Sequence, residues 1–199
     1  MRESVSLPWA YGPSNWTRPR TNAQIGAVTH RAVVRVPAGA KYANQTGQIQ
    51  QTAAVTLAYL SPLGDIRLFD GVSDTVISQP VMTTLSAATL AYTHRAKSIA
   101  MLDIPHAEIT WLFVSGSTAP EPNKAVVWNY QWGVWYLRDW VFSAFAVGDK
   151  SDDSFVPVAG ESALATGGKV YLLWDGNSNN GTAINAVWMT KALYGVDEK

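Results

Sequence analysis

The chain has 199 residues and no cysteine, which excludes both a disulfide framework and a thiolate zinc site. Charged residues make up 15% of it, and 15 Lys and Arg balance 15 Asp and Glu, so there is no bulk attraction to nucleic acid or an anionic membrane. Nine tryptophans in so weakly charged a chain point to a surface covered by partners, because interfaces lose charge and gain aromatic rings.

Residues 1–24 read as an extended N-terminal segment; the opening MRESVSLPWAYG has no apolar run after its arginine and so no secretory pattern. No stretch approaches the roughly 18 apolar residues of a membrane span. The N-x-T triplets at Asn15, Asn44 and Asn180 read as turn sequences. From residue 25 to 195 the pattern is short strands and turns. QTAAVTLAYLSP (51–62) stops at Pro62-Leu63-Gly64-Asp65, a turn signal, and DIRLF (65–69) stops at Asp70-Gly71. TVISQPV (75–81) follows. LSAATLAYTHRA (85–96) is the one helix candidate, but its apolar positions do not keep a 3.6 period. SIAML and EITWLFV are two strands joined around Asp103-Ile104-Pro105-His106, where Pro105 restricts the connection. KAVVWNY (124–130) and VWYLRDW (134–140) flank Gln131-Trp132-Gly133 in hairpin fashion. KVYLLWDG (169–176) and INAVWMTKALYG (184–195) flank a polar loop, and residues 196–199 form a tail. Strands about every ten residues, without strand–helix alternation, predict an all-β fold.

Two internal echoes suggest a repeat. An apolar strand ending in an aromatic, then Asp or Asn, then a glycine-containing turn occurs at Phe69-Asp70, Trp128-Asn129 and Trp174-Asp175, spaced 59 and 46 residues apart. A four-stranded propeller blade takes roughly 40–50 residues plus insertions. The Asx side chain is expected to cap its turn by accepting backbone N–H bonds, and the aromatic to pack between blades. The second echo is Thr29-His30-Arg31-Ala32 and Thr93-His94-Arg95-Ala96, 64 residues apart.

Between Ala125 and Trp140 lie four tryptophans and two tyrosines. Strand alternation places Val126, Trp128 and Tyr130 on one face, with Trp135 and Leu137 sharing a face of the next strand and Tyr136, Arg138 and Trp140 on its reverse. Large residues on both faces suit a sheet stacked between two others. A sugar or base platform would keep its rings on one side, and a nucleic-acid platform would add cations. The rings are therefore expected to be core or interface: Phe69, Trp111, Trp128, Tyr130, Trp132, Trp135, Trp174 and Trp188, with Asp70, Asn129 and Asp175 as turn caps.

Candidate chemistry is thin. His30, His94 and His106 lie far apart and in no metal-ligand spacing. The loop DGNSNNG (175–181) starts like a calcium loop, but Asn180 stands where glycine is needed and Ala186 where a bidentate glutamate is needed. Paired acids for glycoside hydrolysis are available among Asp65, Asp70, Asp103, Glu108, Asp139 and Asp175, all at turns or strand ends where local capping is the simpler role. No catalytic residue, cofactor or metal is assigned.

The segments YLSPLGDIRLFDGVSDTVISQPV (59–81), AEITWLFVSGS with NKAVVWNYQWGVWYLRDW (107–140), and GGKVYLLWDG with INAVWMTKALYG (167–195) resemble the propeller region of bacteriophage tail nozzle or hub proteins, the packaged-DNA stabilisation proteins of short-tailed phages. The order EITWLF, VVWNY, W carries most of the likeness. The resemblance implies a non-enzymatic virion protein, made in the host cytoplasm. It implies a homo-oligomeric ring, commonly a hexamer, that meets the portal-proximal adaptor and other tail proteins. Double-stranded DNA would pass through its channel without specific binding, with no membrane or small-molecule substrate involved. The strands suffice for roughly three blades, fewer than a closed propeller needs. An incomplete propeller is expected, as a fragment, a split product or a small relative completing its sheet with a neighbour. The other open reading is a carbohydrate-binding or glycan-degrading β domain.

Overall fold

A computed structural model describes residues 25–44, 46–81, 85, 92–116, 121–149, 155–161, 168–174, 178–179 and 182–183. The segments 1–24, 184–195 and 196–199, with Asp175 and Trp188, lie outside the described residues. Apart from Leu85, the described elements are strands and short 3-10 turns, so the all-β expectation holds.

The first sheet is built from β1 (Val33–Val36), β4 (Thr56–Leu60), β5 (Ile66–Phe69) and β6 (Asp74–Val76), antiparallel and in that spatial order. Alternation explains its two faces: Val34, Val36, Ala58, Leu60, Ile66 and Leu68 turn inward and are buried. Gly64 takes φ 83° in the β4–β5 turn, a left-handed conformation that a Cβ would strain, and its N–H donates to the Ser61 carbonyl at 3.0 Å. A hairpin of β2 (Lys41–Ala43) and β3 (Ile49–Gln51) is inserted between β1 and β4.

The second sheet is an unbroken meander of β7 (Ile99–Asp103), β8 (Glu108–Phe113), β9 (Lys124–Asn129) and β10 (Val134–Arg138). Its hairpins fall where Asp103–His106 and Gln131–Gly133 were expected. All of β8 is buried, as a strand covered on both sides must be. The third sheet is a meander of β11 (Phe142–Asp149), β12 (Phe155–Glu161) and β13 (Val170–Leu172), with an irregular register between Phe142 and Ala144. A two-residue hairpin, β14 (Ser178–Asn179) and β15 (Thr182–Ala183), occupies the polar loop.

The sheets stack face to face with the second in the middle. Its Ile109, Trp111, Val126 and Trp128 join the inner face of the first sheet in the main core. Its other face, with Ile99, Leu112, Ala125 and Met101, meets Trp140, Phe142, Phe145, Ala159 and Leu173 of the third. The first strands come together: β1 lies against β7, and β7 against β11. Arg31, just before β1, spans this junction and donates from its NH2 to the Ser143 carbonyl in β11 at 3.1 Å.

Both echoes have structural counterparts. Each THRA motif lies in a 3-10 turn that feeds the first strand of a sheet: His30–Ala32 before β1 and Tyr92–Lys97 before β7. Phe69-Asp70 closes β5 and Trp128-Asn129 closes β9, each the third strand of its sheet, and Trp174 lies just beyond β13, the third strand of the third sheet.

Candidate functional site

The aromatic residues divide by depth. Trp111 and Trp128 are fully buried, and each satisfies its indole N–H on backbone outside the second sheet. Trp111 Nε1 donates to the Ala32 carbonyl at 3.2 Å, and Trp128 Nε1 to the Lys41 carbonyl at 3.1 Å. A buried donor of this kind needs a partner, and these two pin the second sheet to the turn just before β1 and to β2 of the inserted hairpin. Trp135 lies opposite Trp128 in register and stacks on it at 5.8 Å and on Trp111 at 6.2 Å. Tyr130 is buried at the edge of this group, its hydroxyl pushed up first by burial and then by Asp103. Phe69 is half-buried on the far face of the first sheet.

Two rings depart from the expected core. Trp132 is 66% exposed and Trp174 43% exposed. Trp132 sits at the tip of the β9–β10 turn, where Gly133 at φ 69° bends the chain so tightly that the residue before it points outward. Lys41 Nζ covers one face of the Trp132 ring at 5.7 Å.

Asp70 and Asn129 cap their turns as expected. Asp70 Oδ1 accepts from Val72 N–H at 2.8 Å and Ser73 N–H at 2.7 Å, and these bonds, Ser73 first, hold its carboxyl below its ordinary range. Asn129 Oδ1 accepts from Trp132 N–H at 3.0 Å, and its amide donates to the His106 carbonyl at 3.3 Å, tying the two turns of the second sheet together.

The densest polar cluster lies between the second and third sheets, at the end carrying those turns. Asp103 and Glu108 are opposite partners across the β7–β8 hairpin, and both are buried. Asp103, 2% exposed, accepts from Trp174 Nε1 at 2.6 Å and meets His106 Nδ1 at 2.9 Å. Glu108 accepts from the Tyr136 hydroxyl and is ion-paired with Arg138 at 3.2 Å. The Tyr136 hydroxyl is pushed well above its ordinary range by burial and then by that bond. The Arg138 guanidinium lies 4.2 Å from the Trp174 ring, 4.5 Å from Trp140 and 5.0 Å from Tyr136. His106 leans on Trp174 at 4.8 Å.

Most of this arrangement is satisfied within the fold, although Glu108 Oε2 and Arg138 Nη1 are buried without a hydrogen-bond partner. Two facing carboxylates have the residue types of a glycosidase pair, yet each is bonded by side chains of its own fold and almost closed to solvent. The cluster instead interlocks two sheets: a buried acid on one receives the indole of the other, and an arginine is held between rings. Asp103→Ala strands Trp174 Nε1 and His106 together. It is expected to cost about 1–3 kcal/mol and to speed amide exchange in β12 and β13 more than in β1–β5, as read by hydrogen exchange.

The other candidate acids are engaged elsewhere. Asp65 pairs with Arg67 at 2.8 Å, and Asp139 pairs with Lys124 at the surface. His30 and His94 sit in the two THRA turns, not beside His106. Among the described residues no group of three His, Asp or Glu could hold a metal ion. Arg138 and Tyr136 were not singled out in the sequence; the available signal was their shared face on β10, beside the strand that carries Asn129. No known protein-family model and no curated protein matches the chain.

Proposed function

We propose that the chain is a structural subunit without catalytic activity, serving as blades of a tail nozzle or hub in a phage virion. The observation that carries this reading is the stack itself: successive meanders packed face to face, their first strands gathered at one junction bridged by Arg31. That is how propeller blades surround an axis. The resembling order EITWLF, VVWNY, W falls on β8, β9 and β10, the sheet that holds the stack together. In this reading the subunits form a ring, with a hexamer as the expected size, below the portal-proximal adaptor, and duplex DNA passes through without being gripped. Balanced charge supports that role, because a strongly cationic lining would retard passage.

The competing reading, a glycan-binding or glycan-degrading domain, draws on the exposed Trp132 and Trp174. Both rings are already occupied, one by Lys41 and the other by His106, Trp140 and Arg138. Native mass measurement with negative-stain imaging separates the two. The expected result is a ring with a central hole; a compact monomer that retains glycan on an array overturns the nozzle reading.

A further inference from the structure

Each internal interface of the stack joins the forward face of one sheet to the rear face of the next. Among the described residues two faces are left over, the second of them only in part. The third sheet's forward face carries Ala144, Ala146, Val158, Gly160, Val170 and Leu172, aligned by register and opposite to the buried Ala159 and Phe145. It has no polar side chain among these positions, yet Val170 is 75% exposed and Leu172 46% exposed. An uncharged, largely open face of this kind marks an interaction surface.

The first sheet's rear face is its counterpart. Leu57 lies between Arg35 and Phe69 in register, and Tyr59 between Val33 and Arg67. Leu57 is 42% exposed and Phe69 half-buried. The charges here are already matched within the sheet: Arg67 bonds Asp65 at 2.8 Å and Asp74 at 2.7 Å. Tyr59 is buried, its hydroxyl bonded to the Ile25 carbonyl at 2.8 Å and to Asp74 at 3.0 Å, so the open part of this face is the Leu57, Phe69 and exposed Arg35 end. An apolar partner can therefore cover this face without stranding a buried charge, with Arg35 extending its head to the rim.

We propose that the forward face of the third sheet in one copy packs on the rear face of the first sheet in the next copy, head to tail. The chain carries both halves of a further interface of the kind it already makes twice. Bulky Leu57 and Phe69 on one side meet the small Ala144, Ala146 and Gly160 on the other, just as Trp140 and Phe142 meet Ala125 inside the chain. A heterologous contact of this type either closes into a ring or runs on as a filament. The proposal rests on the ring reading above and assigns the surfaces that make it.

The test uses two single variants of the full chain, Leu172→Asp and Leu57→Asp, with folding checked by circular dichroism and assembly by sedimentation velocity. Wild type is expected to assemble with rising concentration. Each variant alone is expected to remain monomeric at concentrations at least tenfold above the wild-type midpoint. Mixed together, they are expected to form dimers and nothing larger, because each retains the face the other lacks. If wild type assembles and both variants assemble equally well, the pairing is overturned while the ring stands. If wild type stays monomeric throughout, both fall.

Discussion

Trp128→Ala is expected to cost about 4 kcal/mol, within the range for emptying a buried tryptophan site. The side chain has no exposure, stacks on Trp135 and supplies the donor for the Lys41 carbonyl. Its loss removes apolar contact from the main core and the bond that fastens the β2–β3 hairpin. For a chain of this length the melting temperature should fall by roughly 8–16 °C. Trp128→Phe keeps most of the packing but loses the donor, and should cost about 1–2 kcal/mol. Urea unfolding followed by circular dichroism reads both. A Trp128→Ala loss below about 1 kcal/mol would show that the two sheets are held by something other than this ring.

Arg67→Ala should be nearly as damaging, for a different reason. Arg67 bonds Asp65 through Nε and NH2 and Asp74 through NH1, and its side chain is 15% exposed. Those bonds, with Asp65 first, hold the guanidinium more firmly charged than usual despite its burial. Removing it leaves two carboxylates facing each other without a countercharge, at a cost of about 3–5 kcal/mol. The deficit should shrink in acid, as protonation removes the repulsion, whereas the Trp128→Ala deficit should stay nearly constant. Parallel unfolding curves at neutral and mildly acidic pH make the comparison, and an Arg67→Ala deficit that does not change with pH would refute the electrostatic account.

Where alternation was strong, the strands were legible. Ile66 to Phe69 and Ile99 to Asp103 show in and out positions directly, and the turns at Gly64-Asp65 and Trp132-Gly133 are marked by glycine. The stacking of the middle sheet was also readable, because large residues fall on both faces of Val134 to Trp140. The third sheet was much less so. Its strands β11 and β12 are rich in alanine and glycine, which have weak strand preference, and Pro157 argues against a paired position. The sequence also placed Trp132 and Trp174 in the core or an interface, and within the described chain both are partly exposed. Composition cannot tell an indole at a turn tip from one four residues earlier in the strand; the backbone at Gly133 decides that. The Asp103, Glu108, Tyr136 and Arg138 cluster depends on register, which emerges only when the hairpins are paired.

The β2–β3 hairpin leaves its own sheet and closes on the next: Lys41 N–H donates to the Tyr130 carbonyl at 2.7 Å while its own carbonyl receives Trp128. These bonds join residues 87 or more positions apart, so closing them is slow in entropic terms and must wait for most of the chain between to collapse. The first two sheets thus have no independent route to completion and should open and close as one cooperative block. The third, tied on by Asp103, Arg31 and the smaller apolar clusters around Phe142 and Phe145, is the part expected to open first.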